Sequence, residues 1–308
     1  MKNQASMQEP SGVLIVNKHA GVTSHDIVGM IRRLYHTRRV GHTGTLDPMA
    51  TGVLVVLIGR AAKACEYLIS DRKRYRATLR LGITTDTEDT TGEVLTTASK
   101  LPTEADLQAI LPSFRGKIQQ IPPMYSALKV DGRKLVDLAR AGVTVERKPR
   151  EIEIFDLIAT PTETESDYTL DVCCSGGTYI RTLCADIGAA LGCGGAMATL
   201  ERTEACGFPI EKAYTVAQLE GMTDDERLAL LFPAESLFEE LQAVRLPAFY
   251  EKLCRSGCEI YLKKIGSSIP VGTKVRISDQ NGSFFAIGEV RDYEGGAAIK
   301  ATKTFVLE

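Results

Sequence analysis

The chain has 308 residues, 44% of them apolar and 25% charged, with a formal net charge of -2. That is an ordinary globular profile, long enough for one large domain and a small one, and the overall charge by itself points to no nucleic-acid partner. No run of about 18 apolar residues could cross a membrane, and the opening MKNQASMQEPSG lacks the apolar centre of a secretory signal.

In chain order, residues 1–11 read as a short disordered leader, and VLIV at 13–16 as a buried strand ending in a turn at Gly21. Ser24 stands where it could cap a helix running to about Tyr35, with Ile27, Met30, Ile31 and Leu34 at helical spacing. Its end is basic, with Arg32, Arg33, Arg38 and Arg39. They suit a helix C-terminus, and equally a surface for phosphates.

Residues 41–54, GHTGTLDPMATGVL, hold three glycines, three threonines and one proline with no helical or strand period. Such a run is a shaped loop, because glycine permits positive φ and proline fixes its own. The apolar run VLVVLIG at 53–59 has strand length and would hold the loop at the edge of a core. Asp47, ahead of Pro48, is then a single carboxylate presented by a rigid turn, either binding nearby backbone N–H groups or serving as an active-site acid. A nucleotide-triphosphate loop is excluded, since no Gly-Lys pair follows the glycines. Residues 61–69 read as a helix. KRYRATLRLG at 73–82 alternates as a half-buried strand, with Tyr75, Ala77, Leu79 and Leu81 inward. Tyr75 is an ordinary core tyrosine or a ring at the mouth of the core that could stack on a base.

Residues 84–91 form a polar turn, and Thr103 opens a capped helix to Leu111. A strand at 114–121 stops at Pro122-Pro123. Residues 124–150 carry seven basic side chains against three acidic ones, and read as a projecting hairpin and short helix with a cationic face for a polyanion. Two antiparallel strands follow at 151–160 and 168–175. Thr178 opens a helix closed by Gly192, with Tyr179 and Arg181 in its first turn, where an anion is favoured. Residues 196–205 read as a strand, 215–241 as acidic helix, and the tail from about 246 as a small β-rich domain turning at Asp279–Gly282. The eight cysteines are scattered, without zinc spacing, and read as mostly buried thiols in a reducing cytoplasm.

Residues 41–54 with the strand after them, KRY at 73–75, PPMYSALKVDGRKL at 122–135 and SGGTYIRTL at 175–183 occur in that order. Together with NKHAGVTS at 17–24 they resemble the TruB family of tRNA pseudouridine synthases. The resemblance is close over residues 13–204, and the tail looks more loosely like a PUA-type RNA-binding domain. It implies an α+β fold: a mixed, mostly antiparallel sheet with flanking helices and a central cleft, plus a small C-terminal PUA-like β domain. Implied domains are a catalytic one over 12–243, with a thumb insertion at about 124–150, and the PUA-like one over 246–308. The implied activity is isomerisation of uridine 55 in the tRNA T loop to pseudouridine. No metal, nucleotide or redox cofactor is implied. The partner is the tRNA T stem-loop, with no membrane or protein partner, for a cytoplasmic monomer.

Carried onto this sequence, the resemblance makes Asp47 the catalytic aspartate and Arg181 its partner. Tyr75 would stack on the extruded base and assist late proton removal. Tyr179 and Leu200 would line the base pocket, and His42 would help hold flipped-out nucleotides. Attack on ribose C1′ or uracil C6 is equally open to a carboxylate. The rivals are a non-catalytic RNA-binding protein on the same scaffold and an RNA-guided synthase of the archaeal and eukaryotic type. The short tail without a lysine-rich extension favours the stand-alone enzyme.

Overall fold

The structure, a computed structural model, describes residues 9–68, 72–130 and 132–305. Most of the expected leader lies outside the described residues, as do Ile69 at the end of one expected helix and Asp131 of the expected turn. The main sheet contains β1 (Gly12–Lys18), β2 (Val40–His42), β3 (Thr51–Ile58), β4 (Lys73–Leu81), β5 (Gly116–Gln120), β6 (Arg150–Pro161), β7 (Asp167–Cys174) and β8 (Gly195–Ala205). Helices α1 (Ser24–Leu34) and α2 (Ile180–Ala190) pack on it. The order across the sheet is Tyr214–Thr215, β1, β3, β8, β4, β7, β6, β5, with β2 on β3. Two pairings are parallel, Tyr214–Thr215 with β1 and β3 with β8. The path from β8 through β4, β7 and β6 to β5 is antiparallel, so the mixed, mostly antiparallel sheet is borne out.

The apolar run of β3 is explained by cover on both faces. Leu54, Val56 and Ile58 meet Ile27, Val28 and Ile31 of α1. Val53, Val55 and Leu57 meet Ala61 and Ala64 on the other side. By contrast β4 alternates buried and exposed along its length, with Tyr75, Ala77, Leu79 and Leu81 inward, as its pattern requires. The seam of β3 against β8 is short: its register joins Glu201 to Thr51 and Arg202 to Gly52. The 43–50 loop sits at that seam.

Three local expectations are corrected. Thr23, not Ser24, caps α1 through a capping box with Asp26, because the Ser24 hydroxyl is spent on the backbone of Leu46. Helix α2 begins at Ile180, with Tyr179 still extended as its cap, because Thr178 Oγ1 instead donates to the carbonyl of Ser175 at 2.9 Å. Gly59–Tyr67 winds as a 3-10 helix, which stacks Ala61 and Ala64, three apart, on one buried face. The polar turn after β4 also begins as a strand, Ile83–Thr85, paired with Val94–Thr97.

In the tail, Gln242–Arg245, Lys274–Ser278, Phe284–Tyr293, Gly296–Thr304 and Ile260–Tyr261 form a second five-stranded sheet. Its core includes Leu246, Val275, Ile277 and Phe285. Phe284 and Phe305 reach out of it to stack with Phe238 at 6.0 and 5.5 Å, and so join the two sheets.

Candidate active site

The 43–50 loop is fixed from three sides. Ser24 Oγ accepts from the Leu46 N–H at 2.8 Å and donates to the Leu46 carbonyl at 3.2 Å. The Lys18 ammonium donates to the carbonyls of Pro48 at 3.2 Å and Ala50 at 2.5 Å. The Leu46 and Ala50 side chains are buried in the core below. Ammonium–carbonyl bonds are charge-assisted and short, so the loop carries its one carboxylate on a rigid frame. Lys18 is fully buried there. Burial lowers its pKa to about 8, with Asp47 raising it and Arg202 lowering it further.

Asp47 keeps a third of its side chain exposed, at 33%, while its partner Arg181 is 6% exposed. The guanidinium grips the carboxylate in a fork: Nε to Oδ2 at 2.9 Å and Nη2 to Oδ1 at 3.1 Å. Its other donors go to the carbonyls of Thr87 at 3.1 Å and Tyr125 at 2.9 Å. Asp89, itself buried, stands 3.9 Å from Nε. Planar Arg–carboxylate forks add geometry to charge, so Arg181 sets the direction in which Asp47 points.

Arg181 is placed by the start of α2. Gln120, buried at the end of β5, accepts from the Tyr179 N–H at 2.8 Å and donates to the Tyr179 carbonyl at 3.0 Å. Tyr179 is half-buried; burial pushes its phenol up, and the charge of Asp47 adds to that push. Tyr75 and Leu200 lie in one apolar cluster with Leu46 and Ala50. Burial pushes the Tyr75 phenol up, Arg202 opposes, and Asp47 adds a smaller upward push. His42 is half-buried where β2 ends, and burial, Arg202 and His25 push its imidazole down.

Asp47 and Arg181 therefore meet directly, with Tyr75 and Tyr179 inside the field of Asp47 and Leu200 in the same apolar cluster as Tyr75. His42 belongs to the stem of the same loop. A cavity of about 410 Å³ beside Leu200 and Met49 is walled by Thr51, Arg76, Thr78 and Thr199, and does not reach Asp47 or Tyr75. The 124–150 element is a small hairpin, Lys129–Val130 with Arg133–Lys134, and the helix Leu135–Arg140. Its root touches the site through Tyr125. Of the arginines at and just past the end of α1, Arg32 donates to the Val40 carbonyl and Arg39 pairs with Glu9. Among the described residues no group of three or more His, Cys, Asp or Glu converges on a metal site.

Sequence reading missed Lys18, Thr87, Asp89, Gln120, Tyr125 and Arg202. A lysine ending an apolar strand and an arginine inside one were the available signals. The backbone carbonyls of Thr87 and Tyr125 left no signal at all.

The family model described as TruB family pseudouridylate synthase (N terminal domain) matches residues 32–180. The tRNA pseudouridylate synthase B C-terminal domain matches residues 181–239. A relative from Syntrophotalea carbinolica named tRNA pseudouridine synthase B is 44% identical over 84% of this chain and 81% of its own. One of the same name from Thiobacillus denitrificans is 43% identical over 92% of this chain and 93% of its own. A solved archaeal box H/ACA sRNP complex shares the fold, with a TM-score of 0.72 at 23% identity over 99% of this chain and 89% of that one.

Proposed function

The chain belongs to the TruB family of pseudouridylate synthases, and from that premise we propose that it converts uridine 55 in the T loop of tRNA to pseudouridine, with Asp47 as the catalytic carboxylate. The observation that carries the role of Asp47 is its forked, oriented pairing with the buried Arg181. The fork holds the carboxylate from the Arg181 side and leaves its exposed third open to a substrate.

Uracil must first leave the stack, at a cost of a few kcal/mol. Stacking on an aromatic ring returns about 1–3 kcal/mol, a role for Tyr75, with Tyr179 and Leu200 closing the pocket and His42 holding neighbouring nucleotides. Asp47 then forms a covalent bond to C1′ or to C6, and either route is within reach of a carboxylate nucleophile. The base turns, C5 joins the ribose, and Tyr75 assists removal of the C5 proton. The cationic 124–150 thumb closes on the T loop, whose backbone shape it contacts. Residues 12–243 make up the catalytic domain and 246–308 the PUA-like RNA-binding domain. The enzyme works as a cytoplasmic monomer on tRNA without a protein partner or cofactor.

The test is conversion of an unmodified tRNA transcript by the purified chain alone, with modification read at every uridine. Product at position 55 only is expected, and Asp47→Asn should abolish it while keeping RNA affinity. Product at another uridine, or a requirement for guide RNA, would remove the assignment.

A further inference from the structure

One buried charge at the site has no part in the steps above. Arg202, on β8, is 1% exposed and is the largest fully buried side chain among the described residues. Its Nε donates to the Val53 carbonyl at 2.7 Å and its Nη2 to the Gly44 carbonyl at 3.0 Å. Those carbonyls stand on either side of Asp47, Gly44 near the start of the loop and Val53 just past its end. Gly52 completes the junction. Its φ is +97°, and a side chain there would stand 2.3 Å from the Arg202 carbonyl oxygen.

Across the sheet, the register partner of Arg202 is Tyr75. The groups acting on the Tyr75 phenol are Asp47 from the loop, Cys174 from β7 and Arg202 from β8. The Cys174 thiol is pushed up to about 12 by burial and is therefore neutral. Asp47 disfavours a phenolate, and burial disfavours it more; Arg202 favours it through both its charge and hydrogen bonding. A guanidinium cannot shed its charge. Its Nε and Nη2 donors go to neutral carbonyls, and a further hydrogen bond reaches the Tyr75 phenol. A buried cation of that kind is stabilised when a negative oxygen forms beside it.

We propose that Arg202 is a positioning residue for the last proton transfer: it pins both ends of the 43–50 loop and stabilises the negative oxygen that Tyr75 presents to C5 of the rejoined base. The proposal rests on the reading of Tyr75 as the late base. At that stage C5 carries both the ribose and a hydrogen. The C5–H bond breaks, its electron pair re-forms the C5=C6 double bond, and the proton goes to the Tyr75 oxygen. The pair displaced from C6=N1 settles on N1, which takes a proton from solvent. The base is neutral before and after, and no redox partner is needed.

The experiment is single-turnover conversion of a T stem-loop carrying 5-deuterouridine at the target, compared with the protiated RNA. The proteins are wild type, Arg202→Gln, Arg202→Lys, Tyr75→Phe and the Tyr75→Phe/Arg202→Gln double variant. Arg202→Gln is expected to slow the protiated reaction about 10- to 100-fold, the range for one charge-assisted hydrogen bond, and to raise the isotope effect. Arg202→Lys keeps the charge and should recover part of both. In the Tyr75→Phe background Arg202→Gln should add little. Equal slowing in both backgrounds with an unchanged isotope effect would overturn the proposal, leaving Arg202 a brace only. If Arg202→Gln does not fold, Arg202→Lys decides: slowing with a raised isotope effect supports the proposal, and slowing without one overturns it. A wild type that forms no pseudouridine would instead sink the functional reading. Tyr75→Phe with wild-type rate and isotope effect would remove the late base.

Discussion

Arg181→Met keeps an unbranched stem in place and removes every donor of the guanidinium. Two charge-assisted bonds to Asp47, at 2.9 and 3.1 Å, are lost. Such bonds are worth about 1.5–3 kcal/mol each. Because Asp47 is a third exposed, water takes over part of the interaction and the lower figure applies. Two bonds at about 1.5 kcal/mol give about 3 kcal/mol, which corresponds to a rate loss on the order of 150-fold if the fork is what aims the carboxylate. The carbonyls of Thr87 and Tyr125 also lose a partner, which costs about 1 kcal/mol or more each in folding stability and loosens the thumb root rather than the chemistry. The guanidinium is 6% exposed, so it contributes little direct contact to RNA. The assay pairs single-turnover tritium release from 5-tritiated uridine RNA with filter binding of the same RNA. A fall of two orders of magnitude in rate with Kd within about threefold is expected on that energy. A rate within threefold of wild type, or a Kd that worsens in step with the rate, would refute the reasoning. Arg181→Lys restores charge without the fork and should fall between the two.

Gln120→Leu removes both bonds that clamp the Tyr179 backbone, so the Tyr179 N–H loses its partner while the carbonyl keeps the Leu183 N–H at 3.0 Å. About 1–3 kcal/mol of stability should be lost in denaturant unfolding, with slower turnover because α2 no longer starts from a fixed point. Gly52→Ala meets both a positive φ of +97° and a backbone oxygen 2.3 Å away. The expected outcome is a large loss of folded protein, more than about 3 kcal/mol, read by thermal melting; Gly41→Ala, with open space around it, serves as control. Lys18 gives a pH signature. Its folded pKa of about 8 lies below the 10.5 of an unperturbed lysine, so between those values the unfolded chain holds the extra proton and this group adds stability as pH rises. Activity should move the other way. Above about 8 the ammonium that braces Pro48 and Ala50 is lost, and turnover falls. Lys18→Met should lower the plateau and erase both trends, measured by melting temperature and single-turnover rate across pH 7–10.

The residues proposed for the chemistry were legible because each sits in a local pattern. Asp47 stands before proline in a glycine-rich stretch, Tyr75 occupies the inward phase of an alternating strand, and Arg181 follows Gly176-Gly177 at a helix start. Those patterns exist because backbone geometry, strand period and capping are local properties of a few neighbouring residues. From them alone, Asp47 was also readable as a turn aspartate and Arg181 as a surface helix residue. Only the family resemblance chose between the readings.

What tertiary structure decided is how the reactive group is held. Arg181 lies 134 positions from Asp47, and its other donors end on carbonyls 94 and 56 positions away. Carbonyl oxygens are the same in every residue, so no side-chain pattern could mark Thr87 or Tyr125 as partners. The two lost helix starts have the same cause: Ser24 and Thr178 are local capping residues by type, but each hydroxyl found a better backbone partner elsewhere. Arg202 is the clearest case. In one dimension it is a charge interrupting a strand, and only the meeting of β3, β4 and β8 turns it into a buried cation between the loop and Tyr75.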